Sequence, residues 1–211
     1  MSAAAGTPSH GSAPAVLLVI AGPAGSGKST LCDRLVHDRP EFHRVVTTTT
    51  RSPRAGEING VHYHFFRPAE FRSKIEHGEF LEWAQVHGDH EDRLYGTLKS
   101  SVFEPLAAGQ NLVMSIDVQG VESLRRVARV DERLHRAMTT IFILVDRARL
   151  IARMRERAKD HDDEIERRMA TAEAELREAA KFDFVIESHT RDEDFAALLQ
   201  IVEKAQARAA V

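Results

Sequence analysis

Val16-Leu17-Leu18-Val19-Ile20-Ala21-Gly22-Pro23-Ala24-Gly25-Ser26-Gly27-Lys28-Ser29-Thr30 is the stretch on which the reading of the whole chain turns. A short run of branched aliphatics bounded by turn residues reads as a buried parallel strand, and the segment from Lys28 onward reads as a helix. Between them, Gly22, four residues and then Gly27-Lys28-Ser29 fit the spacing of a phosphate-binding loop, the P-loop. Backbone N–H groups converge on phosphate oxygens only where side chains do not block the approach, so the loop needs its glycines. The expected triphosphate cradle is Gly22, Pro23, Ala24, Gly25, Ser26, Gly27, Lys28, Ser29 and Thr30. Lys28 would reach the β- and γ-phosphates, Ser29 would ligate Mg²⁺, and the helix N-terminus adds its partial positive charge. Strand, loop and helix in this order imply a nucleoside triphosphate site.

The chain around this stretch has 211 residues, which suits one α/β domain with room for a small inserted subdomain. A net charge of −3 gives no electrostatic reason to expect nucleic acid or a membrane surface as a partner. The single cysteine, Cys32, excludes a disulfide framework, reads as a buried structural thiol and suits a reducing cytoplasm. Residues 1–14 are small and polar, without Lys or Arg, and read as a disordered tail. The apolar run after them is too short to span a bilayer and leads into the phosphate loop, so no targeting segment is expected.

Downstream, the apolar spacing predicts a first helix over 28–36, a β-branched strand over 45–50 and a short strand over 62–66. A helix at 70–77 and a strand at 80–86 follow. Further on the pattern alternates: helix 98–109, strand 111–118, helix 121–128, strand 139–145, strand 182–186 and a closing helix 192–210. That closing helix carries Phe195, Leu198, Leu199 and Val202 on one side. Alternation of this kind predicts a doubly wound sheet with right-handed crossovers. The arginines between Arg125 and Arg136 lack interleaved aromatics and read as a solvated face. Residues 147–180 are helix-favouring and highly charged, with a break near 158–162.

Between the first two strand candidates and the next lies Arg51-Ser52-Pro53-Arg54-Ala55-Gly56-Glu57, a loop punctuated by proline and glycine. Its two arginines, a tyrosine on a neighbouring strand and an acid on the next could form a second anion pocket with a polar reader beside it. The same residues also fit a solvated loop whose charges have no partner.

The run TTRSPRAGEINGVHYHF, followed by GEFLEWAQVHG, LYGT and IDVQG behind GPAGSGKST, resembles the guanylate kinase family from about Val16 to near the C-terminus. The resemblance implies a P-loop core (15–45, 99–145 and 181–211), a GMP-binding subdomain (46–98) and a mobile helical lid (146–180). Carried over position by position, Arg51, Arg54, Tyr63 and Tyr95 would hold the GMP phosphate. Thr47, Glu82, Thr97 and Asp117 would lie around the guanine and its sugar. Arg153, Arg157 and Arg168 match the phosphate-directed arginines of the lid, with Arg153 on the ATP side. The implied reaction is ATP + GMP to ADP + GDP, with Mg²⁺, and dGMP as a further acceptor. Lys28, Arg51, Arg54, Arg157 and Arg168 would carry the catalysis. The chemistry of guanine agrees, because its N1–H and 2-amino group present two donors on one edge and a carboxylate such as Glu82 accepts from both.

The chain departs from the family pattern at four places. Ser115 stands where an acid is usual, and because residues two apart on a strand share a face, Ser115 and Asp117 are expected to line the same surface, with one negative charge fewer in the site. Residues 89–94 lengthen a loop, Ala158 replaces a lid glycine, and Ser188 replaces an asparagine near the adenine. His62 and His64, with His87 and His90, lack a carboxylate or thiol at ligand spacing and make no metal site. Two rival readings are a P-loop kinase acting on another small phosphorylated molecule, such as a sugar phosphate, and a non-catalytic guanylate-kinase-like binding module.

Overall fold

A computed structural model describes residues 14–86, 93–157 and 162–210; side chains at 86, 154, 156–157 and 162–168 are not among those described. All but the last residue of the expected tail, the inserted residues up to 92, His87, His90 and Ala158 lie outside the described residues.

Strand β1 (Leu17–Ala21) is buried along its whole length, as its unbroken aliphatic sequence requires. Its side chains alternate between two cores. Leu18 and Ile20 pack with Leu31, Cys32 and Leu35 of helix α1 (Lys28–Asp38) and with Phe195, Leu198 and Val202 of α8 (Arg191–Ala209). Leu17, Val19 and Ala21 face Val102 of α3 (Ser100–Ala107) and Val121 and Leu124 of α4 (Val118–Ala128). Burial drives the Cys32 thiol up to about 12, so it is an inert core group. Leu199, expected on the buried side of α8, is only half-buried, and Ile201 and Ala205 complete that face.

The sheet built on β1 is five-stranded and wholly parallel. Its order is β2 (Phe42–Arg44), β7 (Asn111–Ser115), β1, β8 (Met138–Leu144), β9 (Phe184–Glu187). Helices α5 (Glu132–Ala137), α6 (Arg147–Arg157) and α7 (Asp162–Leu176) complete the layers. The α/β class read from the sequence is the class observed. No helix among the described residues is long and apolar enough to cross a membrane.

A second sheet occupies the chain between β2 and β7. Its order is β4 (His64–Phe65), β3 (Thr48–Thr49), β6 (Arg93–Leu98), β5 (Phe80–Val86), with α2 (Pro68–Glu76) packed on it. Its own small core holds Phe71, Phe80 and Leu94, and the Phe71 and Phe80 rings stack at 4.4 Å.

Several expected boundaries move. The strand expected over 45–50 is split between the sheets: Val45 N still donates to Val113 O (2.9 Å), and pairing with β6 begins only at Thr48. The chain crosses from one sheet to the other at Val46-Thr47. Strands β2 and β6 and helix α5 are not in the sequence reading. Arg93 and Leu94, expected in the inserted loop, pair with Val86 and Gln85, and Leu98, expected to open a helix, pairs with Phe80. Strand β7 stops at Ser115, short of the expected 118, because Asp117 turns out of the sheet to cap α4 through Gly120 N (2.7 Å). Ser115 and Asp117 therefore do not share a strand face.

Candidate active site

At the carboxyl end of β1 the chain must turn under β8 before entering α1. Gly22 has φ +141°, and a Cβ there would lie 2.7 Å from Ile143 O, so no other residue fits the approach. Gly25 and Gly27 also have positive φ, and Ser26 N donates to Pro23 O (3.0 Å) to close the turn. Ser26 Oγ is buried and has no hydrogen-bond partner among the described residues. An orphan hydroxyl inside a loop of N–H donors suits a phosphate oxygen, and the exposed Ser29 hydroxyl in the first turn of α1 suits a hydrated divalent cation. Lys28 Nζ bonds Gly22 O (2.5 Å) and Pro23 O (3.0 Å), which folds the ammonium over the loop. Arg153, on α6, reaches across to Ser26 O (3.2 Å) and Gly25 O (3.4 Å). A cavity of about 520 Å³ opens here, lined by Gly25, Gly27, Thr30, Arg34, Arg153 and Asp194 among others. Of its lining residues, Asp194 accepts from Ser188 Oγ (2.7 Å) and Arg153 Nη2 lies 3.4 Å from the same oxygen.

The second sheet assembles a different kind of site. Arg51 is buried to 8% side-chain exposure and is gripped by Glu57 through two hydrogen bonds, Nη1 to Oε2 (2.9 Å) and Nη2 to Oε1 (2.8 Å). Nη1 also donates to Ser52 O (2.7 Å). Beside it the Tyr63 and Tyr95 rings meet edge to face at 6.3 Å, and the guanidinium lies 5.5 Å from the Tyr63 ring centroid. Arg51, Tyr63 and Tyr95, expected together at one phosphate, thus form one cluster. Arg54 does not join it: its side chain is exposed, and its backbone bonds Glu57 twice, N donating to Oε2 (2.7 Å) and O accepting from Glu57 N (3.0 Å).

Further along the same sheet Glu82 is buried, and Thr97 Oγ1 donates to its Oε1 at 2.6 Å. Strands β5 and β6 come this close because position 96 is glycine; a Cβ there would lie 2.8 Å from Glu82 O. Burial raises the Glu82 carboxyl to about 7, the Thr97 hydrogen bond works against that rise, and the charge of Asp117 adds to it. Thr47 stands just before β3, half-buried, with its carbonyl accepting from His64 N (2.8 Å). His62 is likewise used inside its loop, Nδ1 accepting from Ile58 N (3.0 Å).

The two sites share one electrostatic neighbourhood. Asp117 at the head of α4 acts on Glu82 and also on Glu175 of α7, and Glu175 in turn feels Lys28. Burial raises the Glu175 carboxyl to about 7, with Lys28 opposing and Asp117 reinforcing the rise. Asp117 is thus within electrostatic reach both of the buried carboxylate of the second sheet and of Glu175, which also feels the phosphate-loop lysine.

A family model described as guanylate kinase matches residues 15–205. The chain belongs to the guanylate kinase family. It is 44% identical over 172 residues to the guanylate kinase of Gluconobacter oxydans, covering 81% of this chain and 78% of that protein. To the guanylate kinase of Wolinella succinogenes it is 39% identical over 190 residues, 90% of this chain and 84% of the other. In fold it is similar to the crystal structure of guanylate kinase from Anaplasma phagocytophilum, with a TM-score of 0.69 over 92% of this chain and 87% of that one, at 23% identity.

Within this guanylate kinase family member, Arg157 and Arg168 fall at the end of α6 and within α7, and their side chains lie outside the described ones. Two residues that bear on these sites, Glu57 and Glu175, escaped the sequence reading. Glu57 was legible only as an acid in a loop, although an acid six positions after one arginine and three after another is a local ion-pair signal. Glu175 offered none, because it stands among the many charges of residues 164–180 and only the packing of α7 singles it out.

Proposed function

We propose that this chain transfers the γ-phosphoryl group of ATP directly to GMP, giving ADP and GDP, and accepts dGMP in the same way. The observation that supports this most is the buried Glu82–Thr97 pair, on the same sheet as Tyr95 of the arginine–tyrosine cluster and within electrostatic reach of Asp117. A buried acceptor pair suits the two donors on the guanine edge and penalises bases that leave it unpaired.

The nucleophile is an oxygen of the GMP phosphate, whose second pKa near 6 leaves it mostly dianionic at neutral pH, so no general base is needed. A P–O bond forms from that oxygen to the γ-phosphorus as the bond to the ADP oxygen breaks. The obstacle is the approach of two polyanions, and the protein answers it by positioning and charge neutralisation. In this reading Arg51, Tyr63 and Tyr95 hold the acceptor phosphate, and Arg54 closes on it from the exposed part of the loop. Glu82, Thr97, Thr47 and Asp117 read the guanosine. Residues 22–30 cradle ATP, and Lys28 exchanges its loop carbonyls for phosphate oxygens. Arg153 lies on the ATP side, and Arg157 and Arg168 close over the transferring group. Ser29 would hold Mg²⁺, which supplies charge neutralisation at the phosphates when bound. In the same reading residues 46–98 form the acceptor-binding subdomain and 146–180 the lid, and the enzyme works on free nucleotides in the cytoplasm.

A coupled ADP-release assay tests this with GMP, dGMP, AMP, UMP and sugar phosphates as acceptors. Turnover confined to GMP and dGMP is the expected result. A preference for another acceptor would overturn the base assignment, and GMP binding without turnover would make the chain a binding module.

A further inference from the structure

Guanidinium carries five N–H donors in a fixed planar fork, so the donors already in use reveal which edge remains for a ligand. For Arg51 the end-on edge is occupied: one N–H of Nη1 and one of Nη2 bond the two oxygens of Glu57, at 2.9 and 2.8 Å. The second Nη1 donor goes to Ser52 O at 2.7 Å. The guanidinium also has a hydrogen bond with the Tyr95 side chain. Nε–H and the outer Nη2–H lie side by side on the edge that Glu57 and Ser52 leave, opposite to Nη1, and this is the edge that Tyr95 can share with a ligand. Two parallel N–H groups are what a bidentate phosphate contact requires. The planar head is further set by the faces of Tyr63 and Phe65, at 5.5 and 5.8 Å.

A carboxylate within reach of a phosphate-binding arginine subtracts positive charge where positive charge is wanted, so its presence needs a compensating gain. Glu57 is held by three hydrogen bonds, two from Arg51 and one from Arg54 N (2.7 Å), and these bonds drive its carboxyl down to about 2. It is therefore ionised at neutral pH. By joining the side chain at 51 to the backbone at 54, it also fixes the loop that carries both arginines.

Building on the proposed function, we infer that Glu57 is a positioning residue: it occupies the end-on edge of Arg51 so that the side-on edge, Nε and Nη2, is presented to the acceptor phosphate. Glu57 touches no substrate itself. Its contribution is to remove the rotations by which an unclamped guanidinium would offer any of its edges, and misplacement of a positioning group by about 1 Å can cost on the order of a hundredfold in rate.

The test compares wild type, Glu57→Ala and Glu57→Gln, each checked for an unchanged circular dichroism spectrum. The expected outcome for Glu57→Ala is a KM for GMP raised by about 10- to 100-fold with the KM for ATP unchanged. Guanosine, which has the base but no phosphate, should inhibit the variant as well as it inhibits wild type. Added formate, a carboxylate small enough to enter the space vacated by the side chain, should lower the variant's KM for GMP while leaving the wild-type value unimproved. Glu57→Gln, which keeps the shape but turns an N–H toward the guanidinium, should not recover wild-type affinity. An unchanged KM for GMP in Glu57→Ala would overturn the inference. So would an equal loss of ATP, GMP and guanosine binding without formate rescue, which would make Glu57 a general support of the fold. Failure of wild type to phosphorylate GMP would instead refute the proposed function, and the wild-type control separates that result from failure of the inference.

Discussion

The P-loop and the loop from Arg51 to Glu57 both offer nitrogen donors to a phosphate, but they are built by opposite means. In the first the donors are backbone N–H groups, and the requirement is absence: no Cβ at Gly22, where one would lie 2.7 Å from Ile143 O, and no partner among the described residues for the buried Ser26 Oγ. In the second the donors are on a side chain, and the requirement is presence: Glu57, Ser52 O and two aromatic faces must all hold Arg51 in place. A backbone cradle is preorganised by the chain's own covalent geometry and its place between β1 and α1. A side-chain cradle has to be preorganised by neighbours, each of which can be removed singly. Substitutions should therefore act all-or-none at the first site and by degrees at the second.

The largest expected effect is at the first. Lys28→Ala should lower kcat on the order of a thousandfold or more, since it removes the cation that follows the phosphates, and it should leave the fold intact. Steady-state ADP release together with circular dichroism checks this; a variant that still turns over within tenfold of wild type would break the comparison at its firmest point. Next, Glu82→Gln keeps one acceptor but turns N–H donors toward the guanine donors. Its kcat/KM for GMP should fall by about 100- to 1000-fold with little change in the KM for ATP. Equal loss for both substrates would mean that the second site is not independent of the first.

The same contrast explains what could be read from the sequence. Residues 16–30 specify strand, loop and helix locally, by aliphatic run, glycine spacing and helix start, and the structure follows that reading closely. The second sheet is held by pairings across long sequence separations. Strand β3 is two residues long and β2 three, too short for any periodicity, and β6 is cut by Gly96, whose reason is the backbone of Glu82 on the neighbouring strand. Arg51 and Arg54 are the same residue type three positions apart in one loop, and nothing local says that the first is buried and the second exposed. That difference comes from Glu57 folding back and from the rings of Tyr63 and Phe65, which arrive from further along the chain. The end of β7 was misread for a related reason: aliphatic residues continue past Ser115, but Asp117 gains more as a helix cap than as a strand residue.

A smaller effect, on stability, is expected at Gly22. Alanine there must adopt φ near +141° and push a methyl group against Ile143 O at 2.7 Å. The cost should be about 3 kcal/mol, or a melting temperature lower by roughly 10 °C for a chain of this size. Thermal unfolding followed by circular dichroism measures it. A variant as stable as wild type would show that the loop moves away from β8, and the backbone cradle would then be less fixed than the side-chain one.

The smallest effect concerns pH and tests whether the second site works by degrees. Burial, reinforced by Asp117, holds the Glu82 carboxyl at about 7, against an ordinary value of 4.5. Guanine recognition needs the ionised form, so affinity for guanosine should fall as pH drops below about 7 and level off above it. Guanosine is the better probe because the GMP phosphate titrates near pH 6 and would blur the curve. The stability consequence has the opposite sign. Between pH 4.5 and about 7 the folded protein binds more protons than the unfolded chain, so this group's contribution is fully present below 4.5 and is lost as pH rises through 7. The difference is worth about 3 kcal/mol, and Glu82→Gln should abolish it, making that variant more stable than wild type at pH 8. Thr97 donates to Oε1 at 2.6 Å and favours the charged form, so Thr97→Val should move the midpoint of guanosine binding further above 7, by about one pH unit or less. A midpoint that moved down, or a guanosine affinity flat from pH 6 to 8, would mean that Glu82 is not the group that reads the base.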